Sequence, residues 1–383
     1  MNNGPVTHTV VALFLLAAFF NCFGCDSKKS SDGVVAHDGL VPRAAVGDPA
    51  AQPVSGGDST QRLETLFSQI GFLPYLDIRP ISQGNGDGGF TDYYFKQSDM
   101  CCFRHQQMNV AVSYGSSDNV VLFMDGGGAI WPGGGLMLSS DDPLEIPILE
   151  RTAENPLRDW NYVYVPYCDG SLHLGDNIYE YDWGEGHHQG LRQTAAAVAL
   201  MKKLFPHAPK VLIAGLSAGG FGTLYGWAIA KSQYMDAETY VLSDGGVGFW
   251  NPNDLTMWQT MSTAWNLHLP PACEKCDGPI MTYLYETYMD LDPQVRVGLF
   301  SSYRDRVMCW FTGLSQAEFR QYLLSITGEI KQAHADRFGR FFIKGVQHTS
   351  GSDGLATTIG GVSYGDWIER MIYDDAPWND ELE

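Results

Sequence analysis

The chain has 383 residues, 44% hydrophobic and 18% charged, with a formal net charge of -20. This is a globular composition with apolar mass for a large core. Its acidity excludes nucleic acid as a partner, because phosphate binding needs Lys and Arg on the contact face, and it disfavours undirected adhesion to polyanions.

Val10 to Phe20 is an uninterrupted apolar run, too short for a comfortable membrane span. It leads into Gly24-Cys25, the small residue and cysteine that bacterial lipoprotein processing uses. Residues 1–25 are therefore expected to be an export signal, with Cys25 lipidated as the first mature residue. A simple cleaved signal and a retained anchor are the alternatives. All three place the protein outside the cytoplasm, as a cell-envelope lipoprotein or a secreted protein. Residues 26–59 are rich in Ser, Gly, Asp, Ala and Pro, cannot bury a core, and read as a flexible tether. Residues 60–383 are expected to fold as one domain and to act as a monomer.

No internal repeat is visible, and strands and helices alternate. Asn119 to Asp125 is a short apolar run ended by three glycines, and Asn161 to Tyr167 alternates β-branched and aromatic residues; both suit buried strands. Gly190 to Pro206 has helical apolar spacing and stops at a proline. Val211 to Ser217 reads as a strand and Phe221 to Lys231 as a helix. Thr239–Asp244, Val295–Ser302 and Arg340–Val346 are three further strands. This succession predicts an α/β fold with a mostly parallel central sheet covered by helices on both faces.

Six cysteines lie beyond residue 25: Cys101, Cys102, Cys168, Cys273, Cys276 and Cys309. In an exported chain an even number reads as disulfides, with the pairing open. Zinc at Cys273-x-x-Cys276, with His268 and Cys309 in reach, is the rival reading, but a second Cys-x-x-Cys is missing. A redox role for this pair is weaker still, since it follows Pro270-Pro271 in a loop.

In parallel sheets chemistry gathers at the carboxyl ends of the strands. Those ends deliver Gly126-Gly127-Gly128, Ser217 within Gly215-Leu216-Ser217-Ala218-Gly219, Asp244, Asp305, and finally His348. A serine hydroxyl attacks an ester only when a base takes its proton, and that base needs an acid to fix its tautomer. The order Ser, Asp, His suits an α/β-hydrolase. His348, after the last strong strand, fits the base better than His207 in a helix-end turn or His187-His188 in a polar loop. Strand order leaves Asp244 and Asp305 as equal candidates for the acid. The N–H groups of Gly127, Gly128 and Ala218 are candidates to hold the oxyanion, and the chemistry calls for neither cofactor nor metal.

These motifs resemble the pectin acetylesterases, the group that includes the carboxylesterase Notum. Phe123–Trp131 is similar to the family's oxyanion segment, and Asn155–Asp176 to its most specific block. IAGLSAGGFG, VLSDGGVGF, SSYRDRV and GVQHTSG are similar to later segments in the same order. The resemblance spans roughly Cys101 to Trp367 and implies an α/β-hydrolase-like fold. It also implies that Asp305, not Asp244, is the acid of a Ser217–Asp305–His348 triad. Departures surround the pocket: Ala129-Ile130-Trp131 lacks a family cysteine and hence one disulfide, Arg304 and Arg306 flank the acid, and Gln189 stands where the family has arginine. The expectation is a serine carboxylic-ester hydrolase acting on acetylated polysaccharide such as pectin. A deacylase of lipid-modified protein or of other acyl esters, and a surface binding protein without chemistry, are the alternatives.

Overall fold

A computed structural model describes residues 56–138, 146–373 and 377–383. The expected export signal, Cys25 and nearly all of the tether lie outside the described residues. Helix α1 (Gly56–Ile70) begins ahead of the boundary expected at Thr60. Leu63, Leu66, Phe67 and Ile70, at helical spacing, bury one stripe of it beneath a polar exterior.

The centre is a ten-stranded sheet. β1 (Pro80–Asn85), β2 (Thr91–Phe95) and β3 (Asn109–Ser113) form an antiparallel side. The rest is parallel: β4 (Val120–Met124), β5 (Asn161–Val165), β6 (Lys210–Leu216), β7 (Glu238–Asp244), β8 (Arg296–Ser302), β9 (Phe338–Ile343) and the short β10 (Glu381–Leu382), in spatial order β5-β4-β6-β7-β8-β9-β10. The antiparallel side joins through β3 to β5. The expected parallel strands are thus present, within a residue or two of their predicted bounds except at the C-terminal end of β9. The antiparallel side was not anticipated.

Period-two alternation sorts the strand residues between two cores. Val120, Leu122, Met124, Val211 and Ile213 enter one cluster, which also takes residues from α1, α2 (Gly190–Leu204), α3 (Ala218–Gln233), α4 (Leu255–Trp265), α5 (Leu284–Leu291), α6 (Arg306–Thr312) and α7 (Gln316–Ala333). Val121, Phe123, Leu212 and Ala214 enter the other, closed by Tyr364, Trp367, Ile368 and Met371 of α8 (Tyr364–Tyr373). Both faces of the sheet are covered, as an α/β-hydrolase-like fold requires. Fully burying each such side chain is worth about 1.5–3 kcal/mol, so the strands are held from two sides. No described helix is long and apolar enough to cross a membrane.

The cysteines depart from a fully paired set. Cys102 bonds Cys168 and Cys273 bonds Cys276, while Cys101 and Cys309 are free. Neighbours on extended backbone face opposite ways. Cys102 meets Cys168, whereas Cys101 turns to Gln189, whose Oε1 lies 3.6 Å from its sulfur. The Cys273–Cys276 bond occupies both thiols, which removes the zinc set considered at that loop.

Candidate active site

Ser217 follows β6 directly and caps the N-terminus of α3, and its backbone sits at φ 55°, ψ -113°. A positive φ in a serine is strained by roughly 1–3 kcal/mol and persists only where the surroundings over-determine it. They do so here. The Ser217 N–H donates to the Asp244 carbonyl at 2.7 Å. A Cβ on Gly215 would stand 2.1 Å from the Gly219 carbonyl oxygen, and one on Gly219 would stand 1.9 Å from that of Met124. The glycines flanking Ser217 are therefore required by close backbone approach, and the turn lifts the hydroxyl above the sheet.

His348 follows β9, on a loop held over the elbow. Its Nε2 lies 2.7 Å from Ser217 Oγ, and its Nδ1 lies 2.6 Å from Asp305 Oδ2. With a carboxylate on Nδ1, that nitrogen carries the proton and donates, which leaves Nε2 as the acceptor for the Ser217 hydroxyl. Asp305 is fully buried at the N-cap of α6, where its Oδ1 accepts the Met308 N–H at 2.9 Å. Both carboxylate oxygens are thus engaged, and the side chain has one orientation.

Asp244 behaves differently. Its Oδ1 accepts the Ser350 N–H at 2.9 Å, two residues beyond His348, while the imidazole Nδ1 faces Asp305 instead. Burial pushes its pKa up to about 6, with the Ser350 hydrogen bonds and the nearby His348 opposing the rise. It buttresses the serine through its carbonyl and the histidine loop through its carboxyl. The two acids left level by strand order are therefore separated by geometry.

The glycines after β4 run beside the elbow. A Cβ on Gly126 would meet the Leu216 carbonyl oxygen at 2.6 Å and the Ser217 Cβ at 2.8 Å. Gly128 (φ +82°) and Ala218 line one small cavity together with Ser217 and His348. Gly127 is packed beside it, its Cα 's missing Cβ direction filled by the Leu138 carbonyl oxygen at 2.1 Å and the Tyr167 ring at 2.2 Å. The cavity is lined also by Ala129, Leu172, Phe221, Trp250, Met308 and Phe311, is partly open, and measures about 10 Å³, room for roughly one water-sized group. A larger cavity of about 460 Å³, lined by Asp244, Ser350 and Tyr364 among others, includes neither Ser217 nor His348.

Three supporting residues were not read from sequence. Tyr167 Oη donates to the Gly128 carbonyl at 2.6 Å and accepts from the Leu172 N–H at 3.2 Å. His173 Nε2 lies 2.9 Å from the Asp125 carbonyl, and Leu172 and His173 both adopt positive φ. Together they fix the glycine segment from below. Their signal was the Asn155–Asp176 block, which carried the resemblance without disclosing its role. His187 and His188, expected in a polar loop, instead occupy the second strand of a hairpin (Asn177–Tyr181 with Gly184–His188) and are buried. Burial lowers the His188 pKa to about 4, and its ring is held by Tyr181 Oη and the Asp169 carbonyl. Arg304 and Arg306 are both exposed next to the acid. At Ala129-Ile130-Trp131, Ile130 is held by its N–H to the Gly170 carbonyl at 2.9 Å and by Trp265 Nε1 on its own carbonyl at 2.8 Å.

Among curated proteins, no sequence matches the chain. The pectinacetylesterase family model matches residues 148–272, a span that holds Ser217, Ala218 and the Asn155–Asp176 block, while the Gly126–Gly128 segment, Asp305 and His348 lie outside it. Over residues 148–272 the chain is similar to the pectinacetylesterases, a family of carboxylic-ester hydrolases.

Proposed function

We propose that the protein is an exported serine acetylesterase that removes acetyl groups from polysaccharide, with Ser217, His348 and Asp305 as its triad. The observation carrying this reading is the continuous hydrogen-bond chain from hydroxyl to imidazole to buried carboxylate beside one small cavity. Ser217 Oγ attacks the acyl carbon as His348 Nε2 takes its proton. Asp305 holds the imidazole in the productive tautomer and stabilises its charged form. The N–H groups of Gly127, Gly128 and Ala218 receive the negative oxygen, each worth roughly 3 kcal/mol in such sites. His348 then passes the proton to the leaving sugar hydroxyl. Water, deprotonated in turn by His348, attacks the acyl-enzyme and releases acetate.

Cavity size favours acetate over the longer chains of a lipid-modified protein. The small space beside Ser217, lined by Phe221, Trp250 and Phe311, supports an acetyl group as the acyl part. Polysaccharide substrates with neutral or mixed charge fit a chain of net charge -20 better than a strongly anionic one, unless Arg304 and Arg306 supply a local basic edge. Export follows from the N-terminal run and agrees with a family whose members are typically secreted; lipidation at Cys25 would tether the enzyme to the envelope.

A fluorophosphonate probe, which labels activated serines, is expected to modify Ser217. A parallel screen of acetylated xylan, acetylated pectin and aryl esters of increasing chain length should show acetate preferred over octanoate by at least about tenfold. Absence of labelling, in a folded protein, would reduce the chain to a binding module on a hydrolase scaffold. Equal rates on acetate and octanoate would return the lipid-deacylase reading.

A further inference from the structure

Away from Ser217, a turn closes between Cys101 and Gln107, which form an isolated antiparallel bridge. At its tip His105 adopts φ 62°, with its N–H on the Cys102 carbonyl at 2.8 Å. The turn leans on the Asn177–His188 hairpin: the His187 N–H donates to the Phe103 carbonyl at 2.9 Å, and the neighbouring Cys102 is bonded to Cys168. This brings Cys101, His105 and His187 together. One donor atom from each lies within 4.8 Å of the other two, the separation that a single ion's coordination shell spans after small side-chain adjustments.

An independent feature of His187 points to a ligand. Its side chain is only 8% exposed, yet its Nδ1 has no hydrogen-bond partner. Buried polar atoms are nearly always satisfied, and an exception calls for a reason. Nε2 of the same ring lies 3.6 Å from Glu185 Oε2. A ring with one nitrogen near a carboxylate and the other free is how histidines are oriented as metal ligands. Cys101 adds a second anomaly, a buried free thiol beside a disulfide in a chain read as exported. The neighbouring cation, Arg192, is paired with Asp176 at 2.5 Å.

We propose that Cys101, His105 and His187 bind a borderline-soft divalent cation, zinc foremost, as a staple between the 101–107 turn and the 177–188 hairpin. One thiolate and two imidazoles suit zinc, copper or cobalt and do not suit magnesium or calcium. Water completes the shell. On binding, the Cys101 S–H bond breaks, its proton leaves to solvent, and the sulfur's electron pair forms the metal bond; no oxidant or reductant takes part. The site is a structural one, separate from the Ser217 chemistry.

The test uses the purified protein after chelation and dialysis. Cobalt(II) titration should produce a thiolate-to-metal charge-transfer band in the near ultraviolet that saturates at one equivalent. Zinc should displace the cobalt and raise the melting temperature. Cys101→Ser should abolish the band, and His105→Ala should weaken zinc binding by at least about tenfold. Because the His105 side chain is exposed, that variant should keep its metal-free melting temperature and its hydrolysis of aryl acetate, so it tests the site even if Cys101→Ser misfolds. No charge-transfer band, or zinc affinity unchanged in a folded His105→Ala protein, overturns the proposal.

Discussion

The Ser217–His348–Asp305 group and the Cys101–His105–His187 group are both sets of reactive side chains gathered by folding, yet they are finished differently. In the first, every side-chain polar atom that faces a neighbour has a partner at 2.6–2.9 Å, and the acid is locked by a helix N-terminus. In the second, a buried nitrogen has none and the histidine rings merely stack, 4.8 Å apart and nearly parallel. A proton relay must be aligned before substrate arrives, because reorganisation during the reaction adds to the barrier. An ion site is completed by the ion itself. The contrast shows why a satisfied cluster in a strained turn reads as chemistry, and an unsatisfied one as a place for something to bind.

That contrast can be broken by variants of graded effect. Ser217→Ala should cost the most, a loss of about 10⁶ in kcat for aryl acetate with the fold intact by circular dichroism. Retained turnover would remove the relay from the chemistry. Asp305→Asn should lower kcat by about 10⁴, because the amide presents a donor where His348 needs an acceptor. Asparagine still caps α6, so the melting temperature should scarcely move; a large drop there would make the loss structural. Gly128→Ala forces a Cβ to within 2.2 Å of the Leu136 carbonyl oxygen at a φ of +82°, and should cost about 10²–10³ by displacing the proposed oxyanion donor.

The smallest effect on rate is expected from Asp244→Asn, less than about tenfold. An inactive Asp244→Asn beside an active Asp305→Asn would reverse the assignment of the two acids. Its signature should lie in stability. The folded Asp244 pKa is raised from 3.8 to about 6, so the native state holds its proton more tightly than the unfolded chain. That favours folding at low pH, and the benefit is lost as pH rises from about 4 through about 6, of order 3 kcal/mol in total. In the asparagine variant, denaturant melts across that range should lose this downward slope.

Sequence patterns exposed the parallel half of the sheet because strands covered on both faces are continuous apolar runs, as in Val120–Met124 and Val211–Ala214. They missed β1, whose PISQGN sequence leaves its residues exposed or half-buried and so has no alternation to read. The strand ends pointed to Ser217, Asp305 and His348, which lie within hydrogen-bond distance of one another in the fold, but not to which aspartate faces the imidazole, nor to the apolar side chains around Ser217. Asp244 and Asp305 both stand at the ends of parallel strands, and the fold holds the Asp244 carboxyl on the Ser350 N–H and the Asp305 carboxyl on the imidazole. His187 was misread for a related reason: Gly184-Glu185-Gly186-His187-His188 looks polar along the chain, and its burial comes from the distant Phe103 segment packed over it.

Asp305 serves a seven-residue helix and an imidazole with the same carboxylate. Fraying of that short helix would release Oδ1, free the side chain to rotate, and misalign the relay while the sheet beneath stayed intact. Heat inactivation should therefore set in below the temperature at which the sheet melts, with α6 as the fuse.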